Sequence, residues 1–147
     1  MITIGLESLI QSPGLIQKRV RVGLLTNQAS VNRDLVHNRL LLKKLFGKSL
    51  TTLFSPQHGF YSEKQDNMVE SDHAVDDVTG LPVYSLYGDH RRPTPEMMSD
   101  LDLLIIDLVD VGTRVYTFMY TMAYCMDVAA ELGKEIVVLF ADKPRSN

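Results

Sequence analysis

The chain has 147 residues, 45% of them hydrophobic, 22% charged and 7% aromatic, with 9 Gly and 6 Pro. This is the composition of one globular domain with a real core, and it excludes the disordered, collagen-like and disulfide-scaffold classes. With 18 acidic against 15 basic residues the net charge is −3, so no general attraction to nucleic acid or to an anionic membrane surface is available.

In chain order, Leu6, Leu9 and Ile10 give an amphipathic start that breaks at Ser12-Pro13-Gly14, which predicts a short helix. Residues 1–11 carry no basic segment followed by an apolar run, and no stretch approaches the roughly 18 apolar residues of a membrane span. The expectation is a cytoplasmic protein without a membrane partner. Residues 20–26 are apolar and partly β-branched, a buried strand that stops at Asn27-Gln28-Ala29-Ser30. A helix follows over 37–46, with Leu41, Leu42, Leu45 and Phe46 toward a core, Lys43 and Lys44 toward water, and Gly47 ending it. Residues 50–54 read as the next strand.

After that strand come Ser55-Pro56-Gln57-His58-Gly59-Phe60 and about 20 residues of polar sequence up to Thr79-Gly80, a length that marks a functional or disordered loop. Residues 82–86 read as a short strand, and Thr94-Pro95-Glu96 supplies an N-cap and a first-turn proline for a short helix. The apolar run 103–106 has the character of a strand buried on both faces of a parallel sheet, ending in Asp107-Leu108-Val109-Asp110. Phe118, Met122, Cys125, Met126 and Ala129 recur at helical spacing, predicting a helix over 117–132 capped by Gly133, and residues 136–140 form a last strand. Cys125, the one cysteine, sits in that apolar stripe, where it behaves as a small hydrophobe and forms no intramolecular disulfide. The alternation of elements predicts an α/β fold, a Rossmann-like sandwich with a mostly parallel sheet covered by helices on both sides.

Ligands of open α/β sheets bind at the carboxyl ends of the strands. Four polar segments fall there: Asn27-Gln28, Gln57-His58-Gly59, Asp107 and Asp110 with Arg114, and Asp142 with Lys143. The fingerprints of dinucleotide, P-loop, serine-hydrolase and zincin sites are all missing, so no cofactor is implied. Carboxylates and carboxamides together suit sugar hydroxyls, which donate and accept at once. A small carbohydrate is therefore the expected partner.

Each candidate also has a structural reading. His58 either donates to a glycosidic oxygen or braces the turn before Gly59. Asp107 and Asp110 either ionise in a cleft or serve as caps and partners of Arg114, and Arg114 either grips a carboxylate or pairs with Asp110. Tyr116 stacks on a sugar or fills the core edge, as Tyr84 and Tyr87 do on the same reasoning. Asn27 and Gln28 bind hydroxyl or N-acetyl groups, or form an Asx-turn. Glu70, Asp72 and His73 are better read as solvated loop residues than as a metal site.

Four blocks carry a resemblance to the NamZ-like exo-β-N-acetylmuramidase family: GLLTNQA (23–29), FSPQHGF (54–60), TGLPVYSLYG (79–88) and DLVDVGTRVYT (107–117). They occur in the family's order along nearly the whole chain. The resemblance implies a glycoside hydrolase that releases terminal N-acetylmuramic acid from peptidoglycan fragments in cell-wall turnover and recycling. It implies a Rossmann-like N-terminal catalytic domain over 1–147 and a smaller C-terminal subdomain that this chain lacks, since FADKPRSN (140–147) stands where members continue through a D-R-P-N-P-like turn. Many members have Glu at the position of Gln57 as leading catalytic candidate, and a Gln there cannot protonate a leaving group; a branch of the family carries the Pro-Gln-His-Gly form. The expected catalytic groups are then His58, Glu63, Glu70, Asp107 and Asp110, with Asn27, Gln28, Gln57, Arg114 and Tyr116 binding substrate and no metal. The alternative is a non-catalytic sugar-binding module or an inactive fragment of such an enzyme.

Overall fold

Apolar runs of four to six residues alternate with amphipathic stretches, and the chain condenses them into one sheet with helices on both faces. The computed structural model describes residues 3–16, 20–56, 74–87, 90–110 and 117–140. The elements are α1 (Gly5–Gln11), β1 (Val22–Thr26), α2 (Asn38–Phe46), β2 (Leu50–Ser55), β3 (Ala74–Val75), β4 (Pro82–Ser85), α3 (Pro95–Ser99), β5 (Leu103–Asp107), α4 (Phe118–Glu131) and β6 (Glu135–Val138). Among the described residues the sheet has six strands in the order β3-β4-β2-β1-β5-β6. Four neighbouring pairs are parallel and β3–β4 is antiparallel. The α/β sandwich with a mostly parallel sheet is therefore as expected.

Every residue of β1 and β5 is buried, because successive side chains alternate between two covered faces. Leu24, Leu53 and Ile105 join Leu6 and Leu9 of α1 and Leu42 of α2 in one core layer. Leu25, Phe54, Leu104 and Ile106 join Met98 of α3 and Cys125, Val128 and Ala129 of α4 in the other. Burial in that second layer pushes the Cys125 thiol up to about 12, so it is an inert packing group.

Two glycines are required by geometry. Gly133 has φ +64°, its N–H donates to the Ala130 carbonyl at 3.1 Å and the Lys134 N–H donates to the Ala129 carbonyl at 2.8 Å. This is the Schellman arrangement that ends α4. Gly5 donates its N–H to the Phe140 carbonyl at 2.8 Å, and a Cβ on it would stand 2.8 Å from the Phe140 nitrogen. The start of α1 thus docks on the backbone just past β6.

Apart from shifts of one or two residues at element ends, such as β6 at Glu135–Val138 rather than 136–140, the structure departs from the sequence expectations at four places. His37 is the N-cap of α2 rather than its first residue, its side chain accepting from the Arg39 N–H. Thr94 occupies the N-cap position of α3 but makes no side-chain capping bond, leaving Pro95 as the feature that starts the helix. The buried stripe of α4 is Phe118, Thr121, Cys125, Val128 and Ala129, while Met126 is 37% exposed. The Thr121 hydroxyl donates to the Thr117 carbonyl at 3.2 Å, which lets a polar residue take a core position. Finally, β3 was not expected. It is two exposed residues paired to β4, a short strand of the kind that blunts a sheet edge.

Candidate functional site

The register of the sheet brings Thr26 opposite Asp107 at the carboxyl ends of β1 and β5. Both side chains point to the α2 face, where the N-terminus of α2 delivers Asn38. The Thr26 hydroxyl donates to Asn38 Oδ1 at 2.8 Å, and Asn38 Nδ2 donates to Asp107 Oδ2 at 2.7 Å. Asn38 is fully buried and Asp107 is 9% exposed. Burial pushes the Asp107 carboxyl above its ordinary value, and the Asn38 amide pulls it back only in part. The shift is in the direction a general acid needs.

A second set of bonds closes the loop after β1. Asn27 Nδ2 donates to the Val109 carbonyl at 2.8 Å, and Asn27 Oδ1 accepts from the Ser30 hydroxyl at 2.7 Å. Ser30 Oγ also lies 2.6 Å from the Asp107 carbonyl. The amide of Asn27, 1% exposed, therefore ties the ends of β1 and β5 together from inside the protein. Its neighbour Gln28 is exposed.

His37 completes the layer. Its Nε2 lies 2.9 Å from the Asn27 carbonyl and its Nδ1 accepts from the Arg39 N–H at 3.2 Å. A carbonyl only accepts, so the hydrogen-bond network assigns the proton to Nε2 and the lone pair to Nδ1. Burial first, and the nearby Arg39 charge second, lower its pKa to about 4. Beside it, Arg39 Nε donates to Asp76 Oδ2 at 3.2 Å, an ion pair whose side chains are 9% and 0% exposed. Asp76 in turn accepts from the Thr79 N–H and hydroxyl at 3.0 and 2.6 Å, which shapes the turn between β3 and β4.

Of the residues expected at the site, Asn27, Gln28, Asp107 and half-buried Asp110 are described, and Asn27 and Asp107 share one hydrogen-bonded network. Gln57, His58, Glu63, Glu70, Arg114, Tyr116, Asp142 and Lys143 lie outside the described residues, as do Asp72 and His73. Ser30, His37, Asn38, Arg39 and Asp76 were not expected. Two of them had a visible signal, for His37-Asn38 is a polar pair directly before an apolar helical stripe, where caps belong. Among the described residues no three His, Cys, Asp or Glu side chains group as a metal site, and no helix is long and apolar enough to cross a membrane.

The family model for the N-terminal part of the exo-β-N-acetylmuramidase NamZ matches residues 22–146, from the first residue of β1 past the end of β6. The chain belongs to this family. It is 42% identical over 141 residues to the peptidoglycan β-N-acetylmuramidase NamZ of Bacillus subtilis (strain 168), covering 96% of this chain and 34% of that protein. Two crystal structures of DUF1343-family proteins from Bacteroides fragilis NCTC 9343 share the fold of this NamZ-family chain. One superposes with a TM-score of 0.83 at 38% identity, covering 97% of this chain and 35% of that one. The other has a TM-score of 0.71 at 29% identity, covering 98% and 35%. The NamZ-family chain thus spans about a third of the length of these relatives, and the polar network described above falls within the matched region.

Proposed function

We propose that this chain carries the catalytic sheet of a glycosidase that removes terminal N-acetylmuramic acid from peptidoglycan fragments in cell-wall turnover and recycling. The observation that carries the reading is its 42% identity, across 96% of its length, to a peptidoglycan β-N-acetylmuramidase. Asp107 acts as the general acid that protonates the leaving oxygen, since burial shifts its carboxyl upward, the direction that role needs. The second carboxyl comes from Asp110, Glu63 or Glu70, and His58 assists at the scissile bond. Gln28, Gln57, Arg114 and Tyr116 contact the sugar, while Asn27 holds the β1 and β5 loops in register. Acid–base chemistry of this kind requires no metal or cofactor. The chain works with a further portion corresponding to the other two-thirds of its relatives' length, which forms the opposite wall of the cleft.

A second reading, a sugar-binding module without turnover, is favoured by Gln57 in place of a carboxylic acid. The deciding experiment measures release of N-acetylmuramic acid from a muramyl disaccharide or a chromogenic muramide. The protein is assayed as it stands and extended by the remaining portion of the Bacillus subtilis relative. Turnover by the extended form, lost at least about 100-fold in Asp107→Asn, supports the glycosidase. Asparagine still accepts the Asn38 bond, so that variant separates chemistry from folding. Saccharide binding without turnover in either form supports the module, and neither binding nor turnover overturns both readings.

A further inference from the structure

On the face of the sheet opposite α2, the segment after β4 and the first turns of α4 enclose a groove of about 390 Å³, within the size range of small-molecule sites. Leu86 and Thr121, 2% and 4% exposed, form its floor. Tyr120 and Tyr124, four residues apart on one side of α4, and Tyr87 after β4 stand around it, 65%, 36% and 42% exposed. Among the described residues, Arg91 supplies the only charge in the lining.

The neighbouring cations differ in their use. Arg92 is held by Glu131 of α4 at 2.6 Å, which fastens this segment to the helix. Among the described residues Arg91 has no hydrogen bond or ion pair, and none of those lining the groove is a carboxylate. The start of the 14-residue α4, through Thr117, adds the partial positive charge of a helix N-terminus to the same space. Tyrosine faces offer apolar surface to the C–H side of a pyranose while their hydroxyls hydrogen-bond, and a guanidinium offers a paired donor fork to a carboxylate.

We propose that this groove is a saccharide subsite that accepts an amino sugar bearing a carboxylate, with Tyr120 and Tyr124 against the ring and Arg91 on the carboxylate. The inference rests on the muramidase reading for its ligand class, and it assigns a position that lies across the sheet from Asp107. Muramyl compounds offer two such carboxylates, the lactyl group of the free sugar and the terminal carboxylate of an attached peptide.

The test is NMR of the 147-residue protein with labelled tyrosine rings and backbone amides. It is titrated with N-acetylmuramic acid, N-acetylglucosamine and muramyl dipeptide, in which the lactyl carboxylate is amide-linked. N-acetylmuramic acid is expected to shift Tyr87, Tyr120 and Tyr124 and to bind at least about tenfold more tightly than N-acetylglucosamine. Arg91→Gln removes that preference, and Tyr120→Ala weakens both sugars; both side chains are exposed, and unchanged melting temperatures verify their folds. Tighter binding of the free sugar assigns the lactyl carboxylate, and equal or tighter binding of the dipeptide assigns the peptide carboxylate. Equal affinity for the two monosaccharides, or shifts insensitive to Arg91→Gln, overturns the subsite. Shifts confined to Asn27 and Asp107 overturn it while leaving the muramidase reading intact. No shift anywhere, with no turnover by the extended enzyme, overturns both.

Discussion

The two polar regions that follow strand ends, one under α2 and one beside α4, are built on opposite physical terms. Under α2 the polar atoms of Thr26, Asn27, Ser30, Asn38 and Asp107 are buried and bonded to one another. Beside α4 the tyrosines and Arg91 face solvent. A buried network is fixed by the cost of leaving any member without a partner, so it can hold a carboxyl in a chosen protonation state. An exposed groove pays no such penalty and is free to exchange water for a ligand.

Substitutions should separate the two sharply in their effect on stability. The largest loss is expected for Asp76→Ala, which removes the carboxylate from the buried ion pair with Arg39. A destabilisation of about 3–5 kcal/mol in urea unfolding is the outcome for a broken buried pair, and a loss under 1 kcal/mol would show that the pair is solvated. Asn38→Ala comes next. It takes the acceptor from Thr26 and the donor from Asp107, for a cost of about 2–4 kcal/mol, and it moves the Asp107 carboxyl still higher because the one downward influence is lost.

The third expectation concerns pH. His37 is lowered from 6.5 to about 4 in the folded chain, so the unfolded state binds a proton first. Stability is full above pH 6.5 and falls as the pH drops toward 4. Allowing for partial solvent exposure, the loss is on the order of 1–2 kcal/mol. His37→Asn keeps a capping acceptor and should flatten this part of the profile. An unaltered slope in that variant would assign the acid sensitivity to other groups. The smallest effect is expected beside α4, where Tyr120→Ser should change stability by no more than about 0.5 kcal/mol. A larger loss there would mean that the groove is part of the core.

Much of this architecture is legible in the chain itself. The apolar run of β5 identifies a strand covered on both faces, because such a strand has no polar alternation, and that of β1 identifies a buried strand. The stripe of α4 is legible in its period but not in its phase. Met126 and Val128 are both apolar, and only packing against the sheet decides which turns inward. The strand β3 left no signal, since two exposed residues become a strand only when β4 offers its backbone. Asn27 and Asp107 could be named as site residues from their place after strands. That Asn27 is an internal tie and that Asp107 is bonded to Asn38, 69 positions away, depends on a register no local pattern contains.

The sequence by itself determined the α/β class, the order of the elements other than β3, the carboxyl-edge placement of Asn27, Gln28, Asp107 and Asp110, and the family to which the chain belongs. Those properties live in composition, period and contiguous motifs. Only the tertiary structure decided that His37 caps α2, that Asn38 reaches Asp107, that Arg39 pairs with Asp76, and that Arg91 lines one groove with Tyr87, Tyr120 and Tyr124. Contacts between distant segments are selected by the joint burial of their faces, a condition that exists only once the sheet has closed.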